Sequence, residues 1–265
     1  MADSSFIVAC PISIQSEIAP KLNFACHQNA FPLIQTLQIS NQAAETTFSN
    51  ITATLDANPA FLKPKVWNID HIAPGGTTII RDRDIQLDGG FLLGLADSIK
   101  GTVAIRVERE GEVLSEQFSD VELLAYNEWG GTAYMPELLA AFITPNEPVI
   151  DRILKEASHL LSKAGKRDAI DGYQSKSRQR VWEIVSAIYS AIVNLKLSYA
   201  LPPTSFEQNG QKIRLPGKIL DGGIATCLDT ALLFAAVFEQ AGLNPVIALP
   251  QGHALVGVWL QPEEF

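Results

Sequence analysis

Apolar and polar positions alternate through the first half of the chain, as Ile51, Ala53 and Leu55 do against Asn50, Thr52 and Thr54. A period of two sends one face of a strand to a core and the other to water. The same reading predicts strands over residues 31–40, 67–72, 77–80 and 101–109. It predicts further strands over 113–118 and 121–126, with a short helix over 90–99. Gly111 turns the strand ending at Arg109 into a hairpin, and Pro74-Gly75-Gly76 makes another turn. Around Asn127-Glu128-Trp129-Gly130-Gly131 the period changes to that of helices, predicted over 136–142, 149–163 and 177–197. In the last of these Val181, Ile184, Val185, Ile188, Ile192 and Leu195 share one face. A polar stretch over 202–223 reads as an extended loop. The apolar run 228–240 then forms a buried helix ended by Gly242, before two strands over 246–249 and 254–260.

Strands followed by helices describe an α+β chain with a β-sandwich first. The expected division is a sandwich over 1–126, a linker over 127–148 and an α+β domain over 149–265. Of the 265 residues 47% are hydrophobic and 18% charged, enough to build real cores. Twenty-nine acidic against 20 basic residues leave a net charge of −9, which weighs against nucleic-acid binding by this chain. The basic runs 163–167 and 176–180 read as solvated faces. Three cysteines, Cys10, Cys26 and Cys227, make neither a disulfide framework nor a zinc motif. No metal or cofactor is expected. Gly75-Gly76 and Gly89-Gly90 fit turns and belong to no phosphate-binding loop. Without a signal-like N-terminus or a long apolar run, the expectation is a cytoplasmic protein without a membrane span.

The chemistry concentrates near the end. Cys227 heads the buried helix, where unpaired backbone N–H groups and the positive end of the dipole gather. His253 opens the last alternating segment, Gly252-His253-Ala254-Leu255-Val256-Gly257-Val258, which should aim its ring to one face. Nucleophile and base on two elements are what cysteine-dependent acyl transfer needs. The ordinary alternatives are a small buried cysteine and a satisfied core histidine. Asp229 sits in the first helical turn, where a carboxylate offsets the dipole; that reading outweighs a catalytic one. Gln174 is a weaker candidate for oxyanion stabilisation, as Asp221 is for orientation. Cys26 and Cys10 have no useful base, since His27 is too near Cys26 in sequence. Trp129 and Trp259 read as packing anchors, and Trp182, in the amphipathic helix, as a core or interface residue.

The segments 222–229, 234–242 and Gly252-His253-Ala254 through Trp259 resemble the core of the transglutaminase-like cysteine protease superfamily. The resemblance implies a papain-like α+β domain with Cys227 as nucleophile and His253 as its base. The family's third residue, an acid or amide, belongs on a strand beyond the histidine, and the chain ends at Phe265. The expectation is therefore a truncated domain, a substitute acid elsewhere, or a degenerate site. The first half is similar to immunoglobulin-like modules in its patterning alone. The chain as a whole resembles the N-terminal region of large bacterial helicase and nuclease proteins with suspected roles in DNA processing or phage defence. The segments 126–131, 171–175 and Thr226-Cys227-Leu228-Asp229 carry that second resemblance.

Two functions follow as expectations. One is a cysteine-dependent acyl-transfer domain acting on a protein or peptide, a peptidase or amidase before a crosslinking enzyme. The other is a catalytically silent interaction module serving attached or associated helicase and nuclease domains.

Overall fold

The structure is a computed structural model that describes residues 11–262. Cys10 lies outside the described residues. The chain is α+β and divides into two compact units between Tyr126 and Asn127.

The first unit contains β1 (Ile12–Ile18), β2 (Lys21–Leu22), α1 (Phe24–Gln28), β3 (Ile34–Asn41), β4 (Phe48–Asn58) and β5 (Lys65–Ile72). It continues with β6 (Thr77–Ile79), α2 (Gly89–Leu93), β7 (Ile99–Arg109) and β8 (Glu112–Leu123). Its strands form a three-stranded sheet, β1-β3-β6, and a five-stranded sheet, β2-β8-β7-β4-β5. Alternation produces this: Ile51, Ala53 and Leu55 on β4 and Val103, Ile105 and Val107 on β7 are all buried. The two strands expected over 113–126 are one strand, β8, because its pairing with β7 runs unbroken through Ser119 and Asp120. The helix expected over 90–99 is only α2, and residue 99 already begins β7. Neither β1 nor α1 was expected.

The second unit contains β9 (Glu128–Trp129), a 3-10 helix (Pro136–Phe142), α3 (Pro148–Lys163), α4 (Arg178–Val193), β10 (Ser198–Tyr199) and α5 (Phe206–Asn209). It continues with β11 (Gln211–Lys212), α6 (Pro216–Gly222), β12 (Ile224–Ala225), α7 (Cys227–Gln240), β13 (Pro245–Ala248) and β14 (Leu255–Val258). Helices α3, α4 and α7 surround one core that includes Ile150, Ile153, Ile184, Ile188, Leu233 and Val237. The segment 127–148 is no linker. β9 pairs with β11, Trp129 is fully buried, and its indole N–H donates to the Met135 carbonyl at 2.9 Å. The stretch 202–223 is not an extended loop either. Phe206, Ile213 and Ile219 are each at most 1% exposed and anchor α5, β11 and α6.

The candidate site is positioned by α7 and what abuts its two ends. Gly223 takes φ +64°, a conformation that costs an L side chain, and so turns the end of α6 into β12. β12 pairs in parallel with β10, bringing Tyr199 opposite Ala225. At the far end Gly242, at φ +73°, ends α7 and releases the chain into the β13–β14 hairpin. One face of that hairpin, including Val256 and Val258, packs on the core. Among the described residues no helix is long and apolar enough to cross a membrane.

Candidate active site

Thr226 is the N-cap of α7 and Cys227 its first helical residue. The Thr226 hydroxyl accepts from the Asp229 N–H at 3.2 Å, and the Asp229 carboxylate accepts from the Thr226 N–H at 2.9 Å. This reciprocal box satisfies two backbone donors that helix geometry leaves unpaired. It also fixes the backbone on both sides of Cys227. The sulfur-bearing residue is 5% exposed and lies over the apolar start of α7, where Leu228 and Ala231 are buried.

Asp229 is wholly buried. Besides Thr226 it accepts from the Arg214 N–H at 2.8 Å and from the Arg214 guanidinium at 2.9 Å. Three donors on one buried carboxylate explain its place. A buried anion is tolerated when paired and hydrogen-bonded. Asp229 therefore anchors the start of α7 to the strand-like segment after β11. The candidate catalytic role for it is not supported by this geometry, because its oxygens are engaged away from any imidazole.

Gln174 is also displaced from the role considered for it. Its N–H bonds the Asp171 carbonyl in an exposed turn. The neighbouring Tyr173 hydroxyl donates to the Trp259 carbonyl at 2.7 Å and accepts from the Asn244 N–H at 3.1 Å. Gly172 lies against the carbonyls of Ala241 and Gly242. That turn thus sits at the C-terminal end of α7, and a helix of 14 residues separates its ends by about 20 Å. Asp221, the other loop candidate, is an exposed residue of α6.

His253 is exposed and precedes β14 instead of opening it. Its N–H bonds the Pro250 carbonyl at 3.1 Å, closing a turn in which Gly252 adopts φ +71°. The strand alternation holds only from Leu255 onward. Among the described residues no hydrogen bond joins the imidazole to Cys227. The hairpin that carries it on its turn packs against α7.

Two residues near Cys227 were not anticipated. The first is Tyr199, which the β10–β12 pairing sets opposite Ala225, two residues before Cys227. The pKa of its phenol is raised, first by desolvation and then by the neighbouring Cys227. The second is Gln211, 4% exposed, whose amide nitrogen donates to the Thr226 hydroxyl at 3.0 Å and lies 3.4 Å from the Lys212 carbonyl. Its amide oxygen is buried without a partner. Neither residue carries a sequence signal. Tyr199 arrives through a two-residue parallel pairing, and Gln211 lies in a stretch with no helical or strand period.

Two cavities flank this point. The larger, about 730 Å³, is lined by Glu128, Leu201, Gln211, Arg214 and Thr226. The smaller, about 340 Å³, is lined by Tyr189, Lys196, Tyr199, Ala225, Thr230 and Phe234. The two residues just before Cys227 line one cavity each, Ala225 the smaller and Thr226 the larger. Among the described residues no group of three or more His, Cys, Asp or Glu could hold a metal ion.

No family model matches the chain, and a search of curated proteins finds no match.

Proposed function

We propose that the second unit is a cysteine-dependent acyl-transfer domain of transglutaminase-like, papain-related architecture, and that the first is an immunoglobulin-like sandwich. The observation that carries the reading is the start of α7. There a cysteine stands at the first helical position and its cap is completed by Thr226 and Asp229. A thiol at a helix N-terminus that is spared from capping is arranged for chemistry.

In this reading His253 takes the proton of Cys227 and the sulfur attacks an amide carbonyl. As the new C–S bond forms and the C–N bond breaks, the imidazolium returns its proton to the departing amine. Water, deprotonated by His253, then cleaves the thioester and the proton goes back to sulfur. Backbone N–H groups at the start of α7 face the developing oxyanion. Hydrolysis of a peptide or amide is preferred here to crosslinking.

A second reading is a catalytically silent module that docks partners for helicase and nuclease domains of a larger DNA-processing or phage-defence protein. It is favoured by the exposed imidazole, which makes no bond to Cys227. A fluorogenic peptidyl-amide library separates the two. Turnover should vanish in Cys227→Ala and in His253→Ala while circular dichroism is unchanged. Turnover that survives Cys227→Ala excludes the cysteine mechanism, and a folded wild-type protein inert on the whole library favours the silent module.

A further inference from the structure

We infer that the smaller cavity beside Cys227 is a specificity pocket for a large aromatic or apolar group on the acyl side of the substrate. This rests on the reading of Cys227 as nucleophile. Tyr199 lines the cavity and is paired with Ala225, another lining residue, two positions before Cys227. Thr230, three residues after Cys227, lines it from the same side of α7. The cavity is therefore walled by residues on both sides of Cys227 in sequence, within reach of an acyl group held at the sulfur.

Its walls select by chemistry. Tyr189 and Phe234 stack at 6.0 Å between ring centroids, and Phe234 continues onto Phe238 at 5.8 Å. Tyr189 and Tyr199 are 60% and 58% exposed, so their ring faces are not consumed by the core. Aromatic faces and edges prefer another ring at 4.5–7 Å and gain from it beyond simple area burial. At about 340 Å³ the space lies at the small end of ligand pockets, fit for one side chain and not for a dinucleotide-sized group. Lys196 is its one charged lining residue, so a cationic group is disfavoured there. The larger cavity offers the Arg214 guanidinium and Gln211, whose amide oxygen is buried without a partner, and suits the other side of the scissile bond.

The experiment compares alkylation of Cys227 by N-benzyl-iodoacetamide and by iodoacetamide on the native protein, each rate divided by that of free glutathione. The benzyl reagent is expected to be favoured by about ten-fold or more. Tyr189→Ala, an exposed position, and Phe234→Ala should each bring that ratio close to one. A ratio near one in the wild type overturns the pocket while leaving Cys227 a reactive nucleophile. So does a preference that both variants retain. If neither reagent labels the native thiol, the nucleophile reading fails, and the pocket is judged on Cys227→Ala by saturation-transfer NMR with N-acetylphenylalaninamide. Transfer to the ring protons that disappears in Tyr189→Ala supports the pocket, and no transfer overturns it.

Discussion

The two described cysteines both sit in the first turn of a helix, both are buried, and both touch a reciprocal capping box. In α1 the box is built by Asn23 and by Cys26 itself, at the third helical position. The Asn23 N–H points at the Cys26 sulfur at 3.4 Å while the Asn23 side chain accepts from the Cys26 N–H at 3.0 Å. In α7 the third position is Asp229, and the cysteine stands two residues earlier. The carboxylate takes over the capping work, and the thiol is left out of it. Two residues of displacement within the same motif separate a thiol used as a structural acceptor from one outside the cap. Cys26 is pushed up to about 11 by desolvation, which outweighs its backbone hydrogen bonds.

The contrast is easiest to break by a short iodoacetamide pulse near neutral pH, read by mass spectrometry. With a pKa of about 11, Cys26 holds thiolate at a level of roughly one part in several thousand at pH 7.5. Cys227 should label at least about a hundred-fold faster. Equal rates, or labelling of Cys227 only after unfolding, mean that the displacement within the cap has no chemical consequence.

Removing the carboxylate that frees the thiol is the next test. Asp229→Ala strips three donors of their partner, two of them on Arg214, whose side chain is partly exposed. The expected loss in urea unfolding is about 3 kcal/mol, reduced from the usual buried-pair figure because water screens the arginine. A loss below about 1 kcal/mol contradicts the view that Asp229 organises the helix start.

The Cys26 cap predicts a pH dependence of known sign. Its folded pKa of about 11 lies above the ordinary value of 9.0, so the folded state holds the proton more tightly. This contribution is complete below pH 9 and is lost as pH rises from about 9 to about 11. It reaches about 2–3 kcal/mol if the unfolded thiol is unperturbed. Urea midpoints across that range should fall in the wild type, and Cys26→Ala should remove this part of the decline. An unchanged slope in the variant assigns the alkaline loss to other groups.

The smallest effect belongs to Tyr199→Phe. Cys227 helps to raise the phenol's pKa, so losing that neighbouring hydroxyl should slow Cys227 labelling about three-fold, the scale of one net polar interaction. Faster labelling instead makes the phenol a cover over the thiol and not a donor to it.

What the amino-acid pattern conveyed about this site has a physical boundary. A long apolar run behind Thr226-x-x-Asp229 announces a capped, buried helix, because cap and core both act within a few residues. Phe24–Gln28 is too short to show a period, and cysteine is not a recognised third-position capping residue. The anchors Phe206, Ile213 and Ile219 are spaced by seven and six residues with turns between them, so no single period links them. His253 was carried into a strand by an alternation that starts only at Leu255, because the turn around Pro250 and Gly252 intervenes. Tyr199 and Gln211 reach Cys227 through tertiary pairings that leave no trace in a local window.

The carboxylate of Asp229 has one more consequence, for how this protein can change over time. It ties the start of α7 to Arg214, a wall of the larger cavity, so that wall and the backbone of Cys227 share a single anchor. Tyr189 and Phe234, on the smaller cavity, have no such tie to the cap. Mutational drift can therefore reshape one side of the cleft while the other stays locked to the thiol's own support. New preferences should accumulate at Tyr189 and Phe234 well before they accumulate at Arg214.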